Sequence, residues 1–155
     1  MSTHASSFRF DSITRYLSWD HDRLDGLLSE ATQRVEQGHM AQARNIFVAF
    51  DEGLRRHIRL EEEVLFPLFE AKTGMRSGPT MVMRTEHRVI EAELNRMRHG
   101  LESGDASEYA SGLSSLHGVL GTHNAKEEQV LYPITDDLLD VLERRDVVDR
   151  LTQRA

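Results

Sequence analysis

The chain has no cysteine. That absence excludes disulfides, thiolate metal sites, iron–sulfur ligation and redox thiols together, and it suits a cytoplasmic location. Proline is scarce too, with three among 155 residues, so few positions forbid a helix. No long apolar run exists. The most apolar stretch, residues 64–69, contains Pro67 and falls far short of the roughly 20 residues that span a bilayer. The start has no basic segment followed by an apolar one, so no secretory leader is expected. A positive surplus is also missing. The net charge of −7 argues against non-specific binding to nucleic acid or to an anionic membrane. What remains is a chain of the size of one domain, residues 1–155, with 39% hydrophobic residues and a single core. Against so few other reactive side chains, its eight histidines stand out.

Apolar residues recur at alternating steps of three and four nearly everywhere, which predicts helices and no strands. The first helix is expected from about Asp11 to Gln37, with a stripe of Ile13, Leu17, His21, Leu24, Leu28, Ala31 and Val35. Asp11 or Ser12 caps its start and Gly38 ends it. The second runs from about Met40 to Lys72, with the stripe Ile46, Phe50, Leu54, His57, Glu61, Val64 and Leu68, and with a kink at Pro67. The third runs from about Pro79 to Glu102, with Met83, His87, Ile90, Leu94, Met97 and Leu101 inward. The fourth runs from about Ala106 to Leu139, with Leu113, Leu116, Leu120, His123, Glu127, Val130 and Ile134 inward. Four long helices with short connections predict an all-α, antiparallel up-down four-helix bundle over residues 11–139. A short amphipathic tail over residues 141–153, carrying Val147, Val148 and Leu151, forms a fifth helix. Phe8 and Phe10 are expected to pin an N-terminal arm to the bundle.

The chain repeats itself at an offset of 66 residues (87 − 21 and 123 − 57). His21 matches His87, His57 matches His123, Glu61 matches Glu127 and Pro67 matches Pro133. The stretch Glu-Glu-Glu-Val-Leu-Phe-Pro at 61–67 aligns with Glu-Glu-Gln-Val-Leu-Tyr-Pro at 127–133, and Asp20-His21 aligns with Glu86-His87. Each half is thus a helical hairpin with the same polar decoration. Residues four apart share a helix face, so His57 points with Glu61, and His123 with Glu127. His21, His57, Glu61, His87, His123 and Glu127 all fall on apolar stripes. A lone buried carboxylate costs several kcal/mol unless paired, protonated or metal-bound, and no lysine or arginine lies on the stripes at that level. A metal centre resolves the conflict better than a metal-free polar network. Imidazole and carboxylate without thiolate suit iron, manganese or zinc, and six or seven ligands suit two ions. The His-x-x-x-Glu order differs from the Glu-x-x-His of ferritin-like bundles.

With these motifs the chain resembles the hemerythrin-like family, also called the HHE cation-binding domain, from about Asp11 to Leu139. The residues that carry the resemblance are Asp20-His21-Asp22, His57-Ile58-Arg59-Leu60-Glu61, Glu86-His87 and His123-Asn124-Ala125-Lys126-Glu127, with the following Leu-Phe-Pro and Leu-Tyr-Pro. The resemblance implies two iron ions joined by an oxo or hydroxo bridge. His21 and His57 would serve one iron, His87 and His123 the other, and Glu61 and Glu127 would bridge them. Oxygen-carrying members have a further histidine four residues after the position of His87, where this chain has Glu91. As a seventh ligand, Glu91 would add negative charge, favour the ferric state and turn the site from oxygen carriage towards redox chemistry. The implied function is a non-haem di-iron protein that binds or reacts with oxygen, peroxide or nitric oxide. Rival readings are a di-iron oxidase or peroxidase, and an iron-storage or iron-responsive interaction protein with an unknown protein partner. The lack of an N-terminal cysteine motif weakens a link to the related iron–sulfur repair proteins.

The remaining polar residues have plainer readings. Asp25, the repeat partner of Glu91, is expected to support the site or face solvent. Glu62, Glu63 and Glu128 fall off the stripes and are expected in water. His4, His39, His99 and His117 do not share the repeat and are expected at the surface. Trp19 and Tyr132 flank the motifs as packing residues, or as a shield for the site.

Overall fold

The computed structural model describes residues 10–153, all of them in helices or in short connections between helices. Helix α1 (Ile13–Glu36) packs on α2 (Met40–Leu60). The α2 rod continues through a π-helical turn (Glu61–Leu65) into α3 (Phe66–Thr73). Helix α4 (Pro79–Glu102) packs on α5 (Ala106–Lys126). The α5 rod likewise continues through a π-helical turn (Glu127–Leu131) into α6 (Tyr132–Asp137). Two antiparallel hairpins joined mainly through α2 and α4 make the four-rod bundle. The expected tail helix is α7 (Val141–Gln153), and it buries Val147, Val148 and Leu151. No helix among the described residues is long and apolar enough to cross a membrane.

The ends of the rods follow local chemistry. The Ser12 hydroxyl accepts from Arg15 N–H at 3.0 Å, and the Asp136 carboxylate accepts from Ile13 and Thr14 N–H, both at 2.9 Å. Together they satisfy three of the orphan donors of α1. The Asp105 carboxylate caps α5 in the same way. Gly74 ends α3 at φ 75°, a left-handed position that costs glycine little. Phe10 packs edge-on against Tyr16, with ring centroids 5.2 Å apart, so this part of the expected N-terminal pin exists. Phe8 lies outside the described residues.

Two departures from the sequence pattern share one cause. The expected kink at Pro67 is a widened turn, in which Phe66 N–H bonds to the Glu61 carbonyl five residues back. Pro67 has no N–H and its ring would crowd the carbonyl of residue 63, so one extra residue in the turn relieves both problems. Pro133 repeats this, with Tyr132 N–H bonding to the Glu127 carbonyl. Beyond each wide turn the inward face is displaced by one residue. Val130 and Ile134, expected inside, are 49% and 43% exposed, while Leu131, Tyr132 and Thr135 are buried in their place. Leu68 is only half-buried, and Phe66 and Phe69 fill the core.

The apolar interior is divided into two clusters. One contains Leu17, Leu65, Phe66 and the α7 residues. The other contains Leu24, Phe47, Phe50, Leu94 and Leu120. Between them, at the level just before the π-helical turns, lies a layer of buried polar side chains.

Candidate metal centre

That layer consists of His21 from α1, His57 and Glu61 from the α2 rod, His87 from α4, and His123 and Glu127 from the α5 rod, each at most 4% exposed. They form two groups of four. His21, His57, Glu61 and Glu127 make the first, and Glu61, His87, His123 and Glu127 the second; within each group one ligand atom per residue lies within 4.8 Å of all the others. The carboxylates divide their oxygens between the groups. Glu61 Oε2 lies 3.3 Å from His57 Nε2, and its Oε1 lies 2.9 Å from His87 Nε2. Glu127 Oε1 lies 3.2 Å from His21 Nε2, and its Oε2 lies 3.1 Å from His123 Nε2. All four histidines therefore aim Nε2 inward.

What aims them is a carboxylate on each Nδ1. His57 Nδ1 bonds Asp20 at 2.9 Å, and its repeat mate His123 Nδ1 bonds Glu86 at 2.7 Å. His87 Nδ1 bonds Glu62 at 2.7 Å, and its mate His21 Nδ1 bonds Glu128 at 2.6 Å. Such partners fix ring orientation and tautomer and raise the basicity of the inward nitrogen. Glu62 and Glu128 are thus not simply solvated, as their place off the stripe suggests. They reach sideways from one rod to the histidine of a neighbour, with their outer faces still wet. A signal for them exists in the repeat, since 62 + 66 is 128.

The electrostatics show a cluster built around positive charge. Burial works against a charged His57, but Glu61, Asp20 and Glu127 outweigh it and push its pKa up to about 10. His123 is pushed up to about 9 against the same burial, by Glu127, Glu61 and Glu86. Burial would raise Glu61, yet His57 and His87 hold it well below the usual carboxylate range. Protons on imidazole thus supply, in the metal-free protein, the cations that the buried carboxylates demand. They do so incompletely, because Glu127 Oε2 is buried and, though 3.1 Å from His123 Nε2, receives no well-aligned hydrogen bond. An orphaned carboxylate oxygen inside a ring of inward imidazole nitrogens, in a thiolate-free donor set, fits divalent or trivalent transition ions.

A proton-release prediction follows. Folded-state pKa values above neutrality mean that His57 and His123 carry protons at pH 7, and metal binding must expel them. Apparent metal affinity therefore rises from pH 6 to pH 8. Titration of metal-free protein with Zn²⁺ in buffers of different ionisation enthalpy measures the protons directly, and no net release at pH 7 would contradict it.

The structure does not bring Glu91 into either group. Its side chain is 29% exposed and pairs with Arg88 at 3.1 Å. We expect Glu91→Gln to leave metal content and the visible spectrum unchanged; loss of one ion per chain, by metal analysis, would place Glu91 among the ligands after all. Asp25 is exposed and lines a cleft of about 670 Å³ between α1 and α5, with Leu28, His117, Leu120 and Asn124. His39, His99 and His117 are at the surface as expected, and His4 lies outside the described residues. Trp19 is 46% exposed and stacks with Tyr16.

Tyr132 is the residue that sequence reasoning undervalued. It is fully buried, and its hydroxyl donates to Glu61 Oε2. The same oxygen lies 2.9 Å from Glu127 Oε1, 3.2 Å from His57 Nε2 and 3.3 Å from His21 Nε2. An ordinary α-helical turn would have left it off the inward face; the π-helical turn before Pro133 swings it in.

Residues 12–135 match the family model of the hemerythrin HHE cation-binding domain. Among curated proteins, the iron-sulfur cluster repair protein YtfE of Edwardsiella ictaluri (strain 93-146) is 32% identical over 136 aligned residues, covering 78% of this chain and 61% of the relative. The chain thus spans about three-fifths of the length of that relative. No solved structure matches significantly.

Proposed function

Because the chain belongs to the hemerythrin HHE cation-binding family, we propose that the buried layer holds two iron ions and that the protein binds or reacts with oxygen, peroxide or nitric oxide there. The observation that carries this reading is the sharing of Glu61 and Glu127: each carboxylate gives one oxygen to each four-residue group. His21 and His57 would be terminal ligands of one ion, and His87 and His123 of the other. Bound iron would supply one-electron redox steps and open coordination positions for a small ligand. Asp20, Glu62, Glu86 and Glu128 hold the imidazoles in register. The apolar clusters on either side of the layer exclude water and strengthen every charge interaction within it.

The test is metal analysis of protein purified without chelators, together with visible absorption before and after dithionite, oxygen and peroxide. We expect about two metal ions per chain, mainly iron, from the two four-ligand groups. One stoichiometric zinc with no iron uptake would end the proposal. Reversible spectral cycling with oxygen marks a carrier, and repeated turnover of peroxide marks an enzyme. The name of the YtfE relative favours a second reading, in which the site supplies iron for iron–sulfur repair. In that case reduction should release iron to a ferrous chelator, which a carrier would not do.

A further inference from the structure

We propose that Tyr132 is itself a ligand, through its phenolic oxygen, of the ion held by His21 and His57, so that the two ions of the pair are chemically inequivalent. This rests on the two-ion reading above and adds to it a seventh protein ligand.

The position of the hydroxyl carries the argument. The Tyr132 oxygen neighbours one ligand atom from each of His21, His57, Glu61 and Glu127, and these four residues are the whole of the first group. A phenol has one proton to donate. It spends that proton on Glu61 and so faces Glu127 Oε1 at 2.9 Å without a second proton to offer. Two carboxylates and one phenolic oxygen converge in a buried space beside the inward nitrogens of His21 and His57, an oxygen and nitrogen donor set of the kind that holds a metal ion. The crowding is relieved when a metal ion takes the place of the proton. In that step the O–H bond breaks, an O–metal bond forms and the proton leaves to solvent. No electron is transferred.

The repeat shows that this feature belongs to one half only. The residue matching Tyr132 is Phe66 (132 − 66), which has no donor atom and whose ring stacks on His87 with centroids 5.6 Å apart. The second ion, between His87 and His123, therefore has no phenol. The backbone also holds Tyr132 where it is. Its N–H bonds to the Glu127 carbonyl, Pro133 follows directly, and the side chain is fully buried in the apolar cluster that holds Leu17, Leu65 and Phe66. Ferric ions take tyrosinate oxygen readily, as at the axial position of some haem proteins, and a phenolate next to iron favours Fe(III) over Fe(II).

The experiment compares ferric, metal-loaded wild type with Tyr132→Phe, which keeps the ring volume and the packing. Both are assayed for metal content and examined by resonance Raman spectroscopy with visible excitation. A separate readout, free of iron redox chemistry, is the ultraviolet difference spectrum on adding Ga³⁺ to the metal-free proteins. The expected result is a phenolate-to-iron charge-transfer band with tyrosinate ring modes in wild type. In Tyr132→Phe both should be lost while two ions are retained, and the tyrosinate difference signal with Ga³⁺ should vanish as well. Wild type holding two ions without tyrosinate modes overturns the ligand assignment and leaves the two-ion reading standing. Modes that persist in Tyr132→Phe overturn it equally, since they would arise from Tyr16 or Tyr109. A wild type that takes up no second ion overturns both readings together.

Discussion

Glu61→Ala and Glu127→Ala each strip both ions from the protein, whereas His21→Ala strips one. Each carboxylate lends one oxygen to each ligand group, so its loss lowers the ligand count of both ions at once. The same loss removes half of the negative charge that draws two cations into one buried layer. A terminal imidazole serves one group, and without His21 the second group of Glu61, His87, His123 and Glu127 is intact. Stability of the metal-free fold should also suffer. Breaking a buried ion pair by removing one partner costs about 3–5 kcal/mol when the other charge stays. In Glu61→Ala the cost should fall below that, because His57 can shed the proton that Glu61 holds on it. Glu61→Gln separates shape from charge: it keeps the volume, and the bridge is expected to fail nonetheless. Anomalous scattering from crystals of the loaded variants reads the occupancy of each position. Loss of only one ion in both alanine variants would show that the carboxylates do not bridge.

The six central residues were legible because two independent patterns coincided on them. The 66-residue repeat selected His21, His57 and Glu61 with their mates, and the apolar stripes placed the same residues inside. Neither pattern alone separates a ligand from a surface histidine, as His99 shows: it pairs with Glu108 in full solvent. The bundle, its loops and the α7 tail were legible for the usual reason, namely that long amphipathic segments with glycine breaks have few ways to bury their faces. What escaped was the inward face of the two wide turns and of the short helical stretches directly after them. A helical wheel advances by a fixed angle per residue, and a five-residue turn resets its phase. Val130 and Ile134 were therefore placed inward, and Tyr132 was read as packing. The cue was present in Pro67 and Pro133 at matched positions, read as a kink and not as an inserted residue. Glu62 and Glu128 escaped for a different reason. Their Cα positions do lie off the inward face, and only the length of a glutamate lets them reach an imidazole on the neighbouring rod. Glu91 is the reverse case. It sits one turn after His87 on the edge of the stripe, yet the adjacent Arg88 draws it to the surface.

Removing the metals should lower the melting temperature by roughly 8–16 °C. Ions that bind only the folded chain stabilise it by mass action, about 4 kcal/mol at a thousandfold excess over Kd, and 1 kcal/mol shifts the midpoint of a domain of this size by about 2–4 °C. The sign has a second source. Without cations, the layer between the two apolar clusters contains Glu61 and Glu127 with their oxygens in one dry space, and one of those oxygens has no hydrogen bond. Protonated His57 and His123 offset part of this repulsion. Their folded pKa values lie above the unfolded value of about 6.5. The stabilisation they give is therefore complete below that pH and is lost as pH rises through about 9 to 10. The loaded protein has no such protons to lose, because the cations replace them. The gap in melting temperature between loaded and metal-free protein should accordingly widen from pH 7 to pH 9. Calorimetric melts at fixed free metal and in excess chelator, repeated across that range, measure it. Equal melting temperatures in the two forms would refute a metal role in the fold, and a gap that narrows with rising pH would refute the exchange of protons for cations.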